Sequence, residues 1–466
     1  MPLIVLKASV ATDASGVRVE VPVLLSEEGV VQSALDYCLA RSHDRSLMWM
    51  RKLVRAIQLF VAFAFANPGL SEPRTLFNAF ARRLYTGTYQ VETGVDESGL
   101  GWKPLSPVSA SNTLNAITEF FDWLGETKPE KSNVNPKYLA GTFDRRIDEA
   151  AYQHRRERAL LGHSWDPSNT IATPSQRLVR PARASKVEPN SPPAFPDDRL
   201  MDLLFEGFKV GRRHDLRGML ITLLLNGAGF RASEPFHLFV GDVISDPIAP
   251  ASALVMIGHP SQGAAPAGWR GGSQGDRNAN RLSYLAECWQ LIPRNKTISA
   301  RHAGWKGGVH ESNRGKLSLR GYWFLPALGE LFMKLWRAYL FDLSTIKRKH
   351  PFAFVNIRRE PIGIPYTLAQ FNKAHARAVT RIGLTVSKEE GTSLHGHRHA
   401  YGQRLSSAGL DPLFIRKAMH HSSMSSQEVY TQPSHSDVFR QLQEAARQLS
   451  LLTSQIELRT DSFTED

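Results

Sequence analysis

A proline-rich segment at residues 166–196 constrains the fold most strongly, because it separates two regions that each have their own hydrophobic periodicity. It contains seven prolines among many serines and threonines. Proline fixes φ and removes a backbone donor, so a long helix or a central strand cannot cross this stretch. We therefore expect a basic interdomain linker here, either a solvated tether or a strap that crosses a polyanion.

The charge balance of the chain is strongly basic. Lys and Arg total 57 against 44 Asp and Glu, a formal net charge of +13 over 466 residues. An excess of this size favours a polyanionic partner such as nucleic acid. The two cysteines, Cys38 and Cys288, are too few for a disulfide framework, and the apolar run at 56–66 is too short to span a membrane. We therefore expect a cytoplasmic protein without a signal peptide.

Hydrophobic spacing predicts an α+β fold class that is mainly α with a small β-sheet. Alternation of apolar and polar residues at 1–28 predicts a strand-like N-terminal extension. Ser109 or Ser111 is expected to cap the helix that follows a polar loop at 89–107. Two helices are expected within 30–66, with further helices at 143–161, 197–211, 214–226, 282–291, 328–341, 367–382, 394–408, 411–419, 425–430 and 434–452, and strands at 253–258 and 317–325.

Three short motifs after the linker carry candidate chemistry. In the first, Arg231 follows Gly-Ala-Gly-Phe and precedes Glu234 by three positions, so a rigid loop could aim its guanidinium; an ordinary helix-end ion pair is the alternative. In the second, Leu-His-Gly-His-Arg-His, His395 and Arg398 lie three positions apart and share one helix face. An imidazole beside a guanidinium suits a phosphate oxyanion and a proton carrier.

The second motif also allows two other interpretations. His395, His397 and His399 could ligate a metal, although on a helix they point in successive directions about 200° apart. A structural helix start is the other interpretation. The third motif is Met-His-His-Ser-Ser, with Tyr430 nine positions after His421, and it could be an ordinary surface loop.

Taken in order, these motifs resemble the tyrosine recombinase, or phage integrase, family. The family pattern is Gly-Leu-Arg-x-Ser-Glu, then His-x-Leu-Arg-His, then Gly-His-Ser with a downstream Tyr-Thr. This chain has Gly-Phe-Arg-Ala-Ser-Glu, His-Gly-His-Arg-His and His-His-Ser, and the 26 positions from His395 to His421 also fit. The resemblance covers about residues 197–452. His420 is a departure, because the family has glycine before the histidine.

The resemblance implies a phosphodiester strand-exchange site that needs no cofactor and no metal. Tyr430 would attack the phosphorus and form a 3′-phosphotyrosyl link. Arg231 and Arg398 would hold the non-bridging oxygens as negative charge builds. His395 would assist proton movement at the tyrosine, and His421 would hydrogen-bond the phosphate.

The family also places a lysine at a β-hairpin tip as the general acid for the leaving 5′-oxygen. Lys316, which enters a strand, fits that position better than Lys306. The 85 positions between Arg231 and Lys316 indicate an insertion at about 244–312. Glu234 would support the fold around Arg231 and take no part in the chemistry.

The resemblance further implies the domain organisation and the partners. Residues 29–165 would form a helical core DNA-binding domain, 197–452 the catalytic domain and 453–466 a polar tail. The substrate would be double-stranded DNA with recombination sites. A tetrameric synapse of this chain would bind it, and accessory proteins would be further candidate partners. The helix at 434–452 would pack on its own core or on a neighbouring protomer.

Two other functions remain open at this point. A type IB topoisomerase or telomere resolvase would use the same chemistry without strand exchange between sites. A non-catalytic DNA-binding regulator would keep the fold alone. The motif set favours a recombinase carried by a bacterial mobile element and associated with the nucleoid when active.

Overall fold

The computed structural model describes residues 3–14, 18–128, 133–139, 146, 150, 153–154, 175–182, 192–271, 279–297, 299–308 and 310–422. Contacts within the chain divide it into two units, Met1–Val187 and Glu188–Asp466. The fold class is the predicted one, mainly helical with small antiparallel sheets. No helix in the described part of the chain is long and apolar enough to cross a membrane.

The first unit combines a small antiparallel sheet with helices around one hydrophobic core. In the sheet, β2 lies between β1 and β3, and Val10 of β1 faces Val19 of β2. Val21, Val23 and Leu24 of β2 are buried in the same core as the helices, so the predicted strands form part of this core and are not an extension. The elements are β1 (Ile4–Ala11), β2 (Arg18–Ser26), β3 (Gly29–Val30), α1 (Gln32–Ala40), α2 (Leu47–Ala66), α3 (Pro73–Thr86) and α4 (Pro107–Thr127).

Two helix starts in this unit differ from the sequence prediction. The cap of α4 is Ser106, whose hydroxyl accepts the Ser109 N–H at 3.3 Å, so the expected cap at Ser109 or Ser111 is wrong. The next residue is proline, which is pre-organised for the first helical position and lacks an N–H that would need a partner. Helix α3 was not predicted, and the carboxylate of Glu72 caps it.

The predicted linker is shorter than 166–196. Residues 175–182 are fixed to the first unit, where β5 (Ser175–Arg177) pairs with β4 (Lys137–Leu139). Arg177 donates to Asp122 and to the Asn135 carbonyl at 2.8 Å, and Val179 exchanges hydrogen bonds with the Asn135 side chain. A solvated tether is therefore the wrong interpretation for these residues, because their polar groups are bound within the unit.

The far end of the predicted linker is attached to the second unit. The Phe195 N–H donates to the Gly396 carbonyl at 3.0 Å, and the Phe195 side chain is buried at 1% exposure. Gln403 donates to the Pro192 carbonyl at 2.6 Å, and Arg404 pairs with Asp197 at 2.7 Å. Residues 192–197 thus run along the helix that carries the second motif.

The second unit has a four-stranded antiparallel sheet in the order β10-β11-β9-β8, packed with helices. Its central helix, α5, is buried along almost its whole length and contacts α7 and α9. The elements are β6 (Lys209–Val210), β7 (Arg213–His214), α5 (Leu216–Gly227), β8 (Val243–Ser245), β9 (Ala253–Gly258), α6 (Arg281–Trp289), β10 (Glu311–Asn313), β11 (Lys316–Arg320), α7 (Pro326–Ser344), α8 (Leu368–Arg381), α9 (Leu394–Ser407) and α10 (Pro412–Ala418).

Most predicted elements of this unit match within a few residues, but two boundaries change. The helix expected at 197–211 ends at Gly207, because Gly211, at φ +63°, forms the turn of the β6–β7 hairpin. The predicted insertion, 244–312, begins inside β8 and includes all of β9, and both are strands of the central sheet. The segment that interrupts the sheet therefore begins after Gly258. The helix predicted at 143–161 lies almost wholly outside the described residues; those at 425–430 and 434–452, and the tail at 453–466, lie wholly outside them.

Candidate active site

Arg231 stands on a tight loop directly after α5. Gly229, at φ +68°, has no room for a side chain because a Cβ would overlap the Tyr401 ring. The carboxylate of Glu234, only 1% exposed, accepts the Arg231 backbone N–H at 2.7 Å and its Nη1 at 2.8 Å. One glutamate therefore fixes both the backbone and the guanidinium of Arg231, the supporting role expected of it.

Arg398 approaches the same loop from α9. Its guanidinium is buried, and Nη1 donates to the Gly229 carbonyl while Nη2 donates to the Met419 carbonyl at 2.5 Å. Arg231 Nη2 donates to the next carbonyl along, that of His420, at 3.5 Å. Two arginines that are 167 positions apart in sequence are thus bound to consecutive carbonyls of one turn.

The turn after α10 places His421 beside both arginines. Its side chain is buried, and burial with the positive charges of Arg398 and Arg231 lowers the pKa of His421 to about 3. His395 lies at the exposed rim of the site. Partial burial is the main cause that lowers its pKa, and the charges of Arg398, Lys306 and Arg231 lower it further. Both histidines are therefore neutral at pH 7. The positive charges of Arg398, Arg231 and Lys306 around them would be offset by a bound anion.

Lys306, and not Lys316, is the lysine that the structure brings to this region. The Gly307 carbonyl accepts Arg231 Nη1 at 3.2 Å, and Lys306 is exposed beside it. The charge of Lys306 acts on His395 and on His421. Lys316 opens β11 and lines a different cavity, together with Asp242.

His397 points away from this site into the protein. Its Nε2 lies 2.7 Å from Nε2 of His375, and its Nδ1 lies 3.2 Å from the Asn226 amide nitrogen. The Asn226 amide oxygen accepts Arg404 at 2.9 Å, so the amide nitrogen donates to His397, whose Nε2–H then donates to His375. Because His397 is committed to this buried network, the alternative of a metal bound by His395, His397 and His399 is not supported.

The metal alternative gains no support from other residues either. Within the described ranges, no group of three or more His, Cys, Asp or Glu is arranged to hold a metal ion. The rings of His395 and His399 pack edge to face, with centroids 4.4 Å apart.

The buried histidine pair predicts a loss of stability in acid. Burial lowers the pKa of His375 to about 4 and the pKa of His397 well below its usual value. The unfolded chain, with histidine pKa about 6.5, binds more protons below that pH, so the free energy of unfolding should fall from pH 6.5 toward pH 4. We expect about 1–2 kcal/mol from each histidine between pH 7 and pH 5. Urea unfolding at the two pH values measures this loss.

A double variant isolates this contribution from other titrating groups. H375F/H397L replaces both rings with apolar side chains and should reduce the stability difference between pH 7 and pH 5 by about 2–4 kcal/mol. The exposed His43 provides a matched control, because H43N should leave that difference unchanged. An equal pH dependence of the free energy of unfolding in the unmodified chain, H375F/H397L and H43N would contradict the assignment of this loss to His375 and His397.

The contacts made by His420 and Gly308 are parts of the site that sequence reasoning did not place. His420 adopts φ +53°, the left-handed region that suits the glycine of the family pattern. Its Nε2–H donates to the Arg320 carbonyl at 2.7 Å, and its ring lies against Phe230. Gly308 packs so closely on the His420 carbonyl that a side chain would not fit. The unusual residue before His421 was visible in sequence, but its partners were not.

Tyr430, the expected nucleophile, lies outside the described residues. The structure therefore brings together four of the six predicted site residues, Arg231, Arg398, His395 and His421, and places Lys316 elsewhere.

The sequence matches no protein-family model and no curated protein. Solved structures similar to this chain are recombinases and integrases. The XerH site-specific recombinase bound to palindromic difH substrate in a post-cleavage complex is 15% identical, with a TM-score of 0.48 over 90% of this chain and 85% of that chain. Its pre-cleavage complex with difH is 13% identical, with a TM-score of 0.45 over 89% and 83%.

The Tn1549 transposon integrase in complex with circular intermediate DNA is 15% identical, with a TM-score of 0.33 over 84% of this chain and 99% of that chain. All three TM-scores are below 0.5, so functional assignment depends on the residues of this chain.

Proposed function

We propose that this chain is a tyrosine site-specific recombinase that cuts and rejoins DNA strands through a 3′-phosphotyrosyl intermediate. One observation carries the proposal: Arg231 and Arg398, distant in sequence, donate to consecutive carbonyls of the turn that ends at His421. Such a pair of guanidinium groups suits the two non-bridging oxygens of one phosphodiester. The net charge of +13 supports a DNA substrate.

The chemistry needs three functions around the phosphorus. In the cleavage step the Tyr430 oxygen forms a bond to phosphorus and the bond from phosphorus to the 5′-oxygen breaks. Arg231 and Arg398 stabilise the negative charge that builds on the non-bridging oxygens. The phosphotyrosyl link retains the bond energy, so a 5′-hydroxyl from the same or another strand can reverse the step without a nucleotide cofactor.

Two protons must move during cleavage. The proton of the Tyr430 hydroxyl passes to His395, whose lowered pKa keeps it neutral and able to accept at pH 7. The leaving 5′-oxygen takes a proton from Lys306, the lysine whose charge reaches His395 and His421. His421 hydrogen-bonds a non-bridging oxygen. We thus assign to Lys306 the general-acid role first expected of Lys316.

Covalent trapping tests the proposal. Nicked duplexes from the ends of the protein's own genetic element, mixed with the full chain in EDTA, should give a protein–DNA adduct that resists SDS. Y430F should abolish the adduct, because phenylalanine has no hydroxyl to attack phosphorus. DNA affinity, measured by fluorescence anisotropy, should change by less than about twofold, since one hydroxyl contributes little to a phosphate-dominated interface.

Tyr322 provides a matched control within the second unit. Burial, together with the hydrogen bond that its hydroxyl donates to Glu311 at 2.6 Å, raises the pKa of Tyr322 to about 12. Y322F should therefore keep the adduct. An adduct that persists in Y430F and disappears in Y322F would overturn the assignment of the nucleophile. Salt-sensitive binding without any adduct would favour the non-catalytic regulator.

Strand exchange distinguishes a recombinase from a topoisomerase or resolvase with the same chemistry. Two duplexes with different fluorophores should yield a product that carries both. A topoisomerase would relax supercoiled DNA but leave the labels separate. We also propose a tetrameric synapse on DNA, DNA binding by the first unit, Met1–Val187, and a role in moving a genetic element.

A further inference from the structure

The second unit holds a half-open cavity of about 860 Å³ on residues that the proposed strand chemistry does not use. Its walls come from the chain after α6, residues 289–301, and from the chain between α7 and α8, residues 347–365. A volume of this size is typical of sites for small organic ligands.

The described lining residues include five arginines and lysines and no acid. Arg301, Lys347 and Lys349 are exposed, and Arg348 is half-buried. None of these four forms a salt bridge within the described part of the chain. Their charges converge on one concave surface, where an anion would be attracted by all of them at once.

A fifth cation, Arg294, is buried in the cavity wall at 2% exposure. Among the described residues its guanidinium donates to three carbonyls, those of Arg301 at 2.8 Å, Phe236 at 3.0 Å and Tyr366 at 2.9 Å. Burial and the charge of Arg301 lower the pKa of Arg294 to about 9. The hydrogen bonds give each of its three nitrogens a partner but leave its charge without an anion among the described residues, which is costly in the interior.

The same surplus acts on the buried His350. Its Nε2–H donates to the Gly363 carbonyl at 2.8 Å. Burial and three neighbouring arginines lower its pKa to about 4, so the ring is neutral at pH 7. An anion in the cavity would offset the positive charge that acts on both His350 and Arg294.

The remaining wall is apolar and includes flat rings. Trp289, Phe352, Ile364 and Pro365 contribute to it. An inorganic anion would leave this surface unused, whereas a nucleotide has a planar base for the apolar wall and phosphates for the cations. A duplex is too wide to enter a cavity of this size.

We infer that this cavity binds a nucleotide through its phosphates, at a site separate from the one proposed for strand cleavage. The phosphates lie against Arg301, Lys347 and Lys349, and the base lies against the apolar wall. The source of the nucleotide is a free nucleoside diphosphate or an unpaired nucleotide of a DNA strand; the chemistry is the same.

Calorimetric titration of ADP into the full chain tests the inference. The charge-reversal variant R301E/K349E should bind ADP at least about 10-fold more weakly, because it replaces two charge-assisted contacts by repulsion. K334E/R337E is the matched control, since both residues are exposed on α7 outside the cavity. K334E/R337E should bind ADP with the same affinity as the unmodified chain. The milder K347A should weaken binding severalfold even if the double reversal fails to fold.

Further titrations identify the source of the bound nucleotide and the results that would overturn the inference. Binding of adenosine alone should be much weaker than binding of ADP, whereas pyrophosphate should compete. If a short single strand displaces ADP, the bound nucleotide comes from DNA; if only free nucleotides do so, it is a separate ligand. Absence of ADP binding at millimolar concentration, or equal loss in the control variant, would overturn the inference. Neither result bears on the Tyr430 adduct, so this failure is distinct from failure of the proposed activity.

Discussion

Replacing Arg231 by lysine should slow formation of the covalent adduct by about 10²–10³-fold, the usual cost of removing one donor to a developing oxyanion. Lysine keeps the positive charge but not the planar fork that Glu234 orients. DNA affinity should change by less than about threefold, because many other phosphate contacts remain. Single-turnover kinetics on the nicked duplex measure the rate, and fluorescence anisotropy measures the affinity.

Arg217 is the matched control for this variant. It is a partly buried arginine of the same unit whose guanidinium pairs with Asp215 at 3.0 Å and donates to the Val355 carbonyl at 2.9 Å. R217K should lose stability without a specific loss of adduct formation. Equal slowing in R217K and R231K would mean that the loss reflects general destabilisation and would remove Arg231 from the reaction.

The second large effect is expected at Lys306. K306A should slow cleavage by about 10²–10⁴-fold, the range of general acid catalysis, whereas K316A should have little effect. A substrate with sulfur in place of the bridging 5′-oxygen has a leaving group that needs no proton. It should restore cleavage by K306A but not by R231K, because only the lysine variant lacks the acid.

The opposite pattern would return the role to the residue first expected from sequence. If K316A were slow on the normal substrate and rescued by the sulfur substrate, Lys316 would be the general acid. Loss in K306A without rescue would assign that lysine to binding of the phosphate, which DNA affinity would show independently.

Two pairs of residues within the motifs, His395 with Arg398 and Arg231 with Glu234, were predictable because their spacing is local. His395 and Arg398 share one face of α9, whose predicted bounds, 394–408, differ from the observed helix by one residue. The pairing of Arg231 with Glu234 follows from three positions of separation. Local spacing identified the groups, but it left open what each group contacts across the chain.

The position of Lys306 beside Arg231 was not predictable because it depends on a contact across a long loop. Gly307 meets Arg231 over 76 positions, and the sequence pattern favoured Lys316 only for its place at the start of a strand. Helix α3 was not predicted, although its buried residues Phe77, Phe80, Ala81 and Leu84 have helical spacing. The pairing of Asn135 with Val179 likewise depends on tertiary contacts that composition cannot indicate.

The attachment of residues 192–197 to α9 has a mechanical consequence. Hydrogen bonds at Gly396, Gln403 and Arg404 join this segment to the helix at points more than a turn apart, and Phe195 stacks on His397 between them, with ring centroids 4.3 Å apart. A pull on the chain ahead of Pro192 is therefore carried first by the helix that holds Arg398. Tension on this segment would therefore reach the guanidinium of Arg398, the proposed phosphate ligand, through these few short contacts.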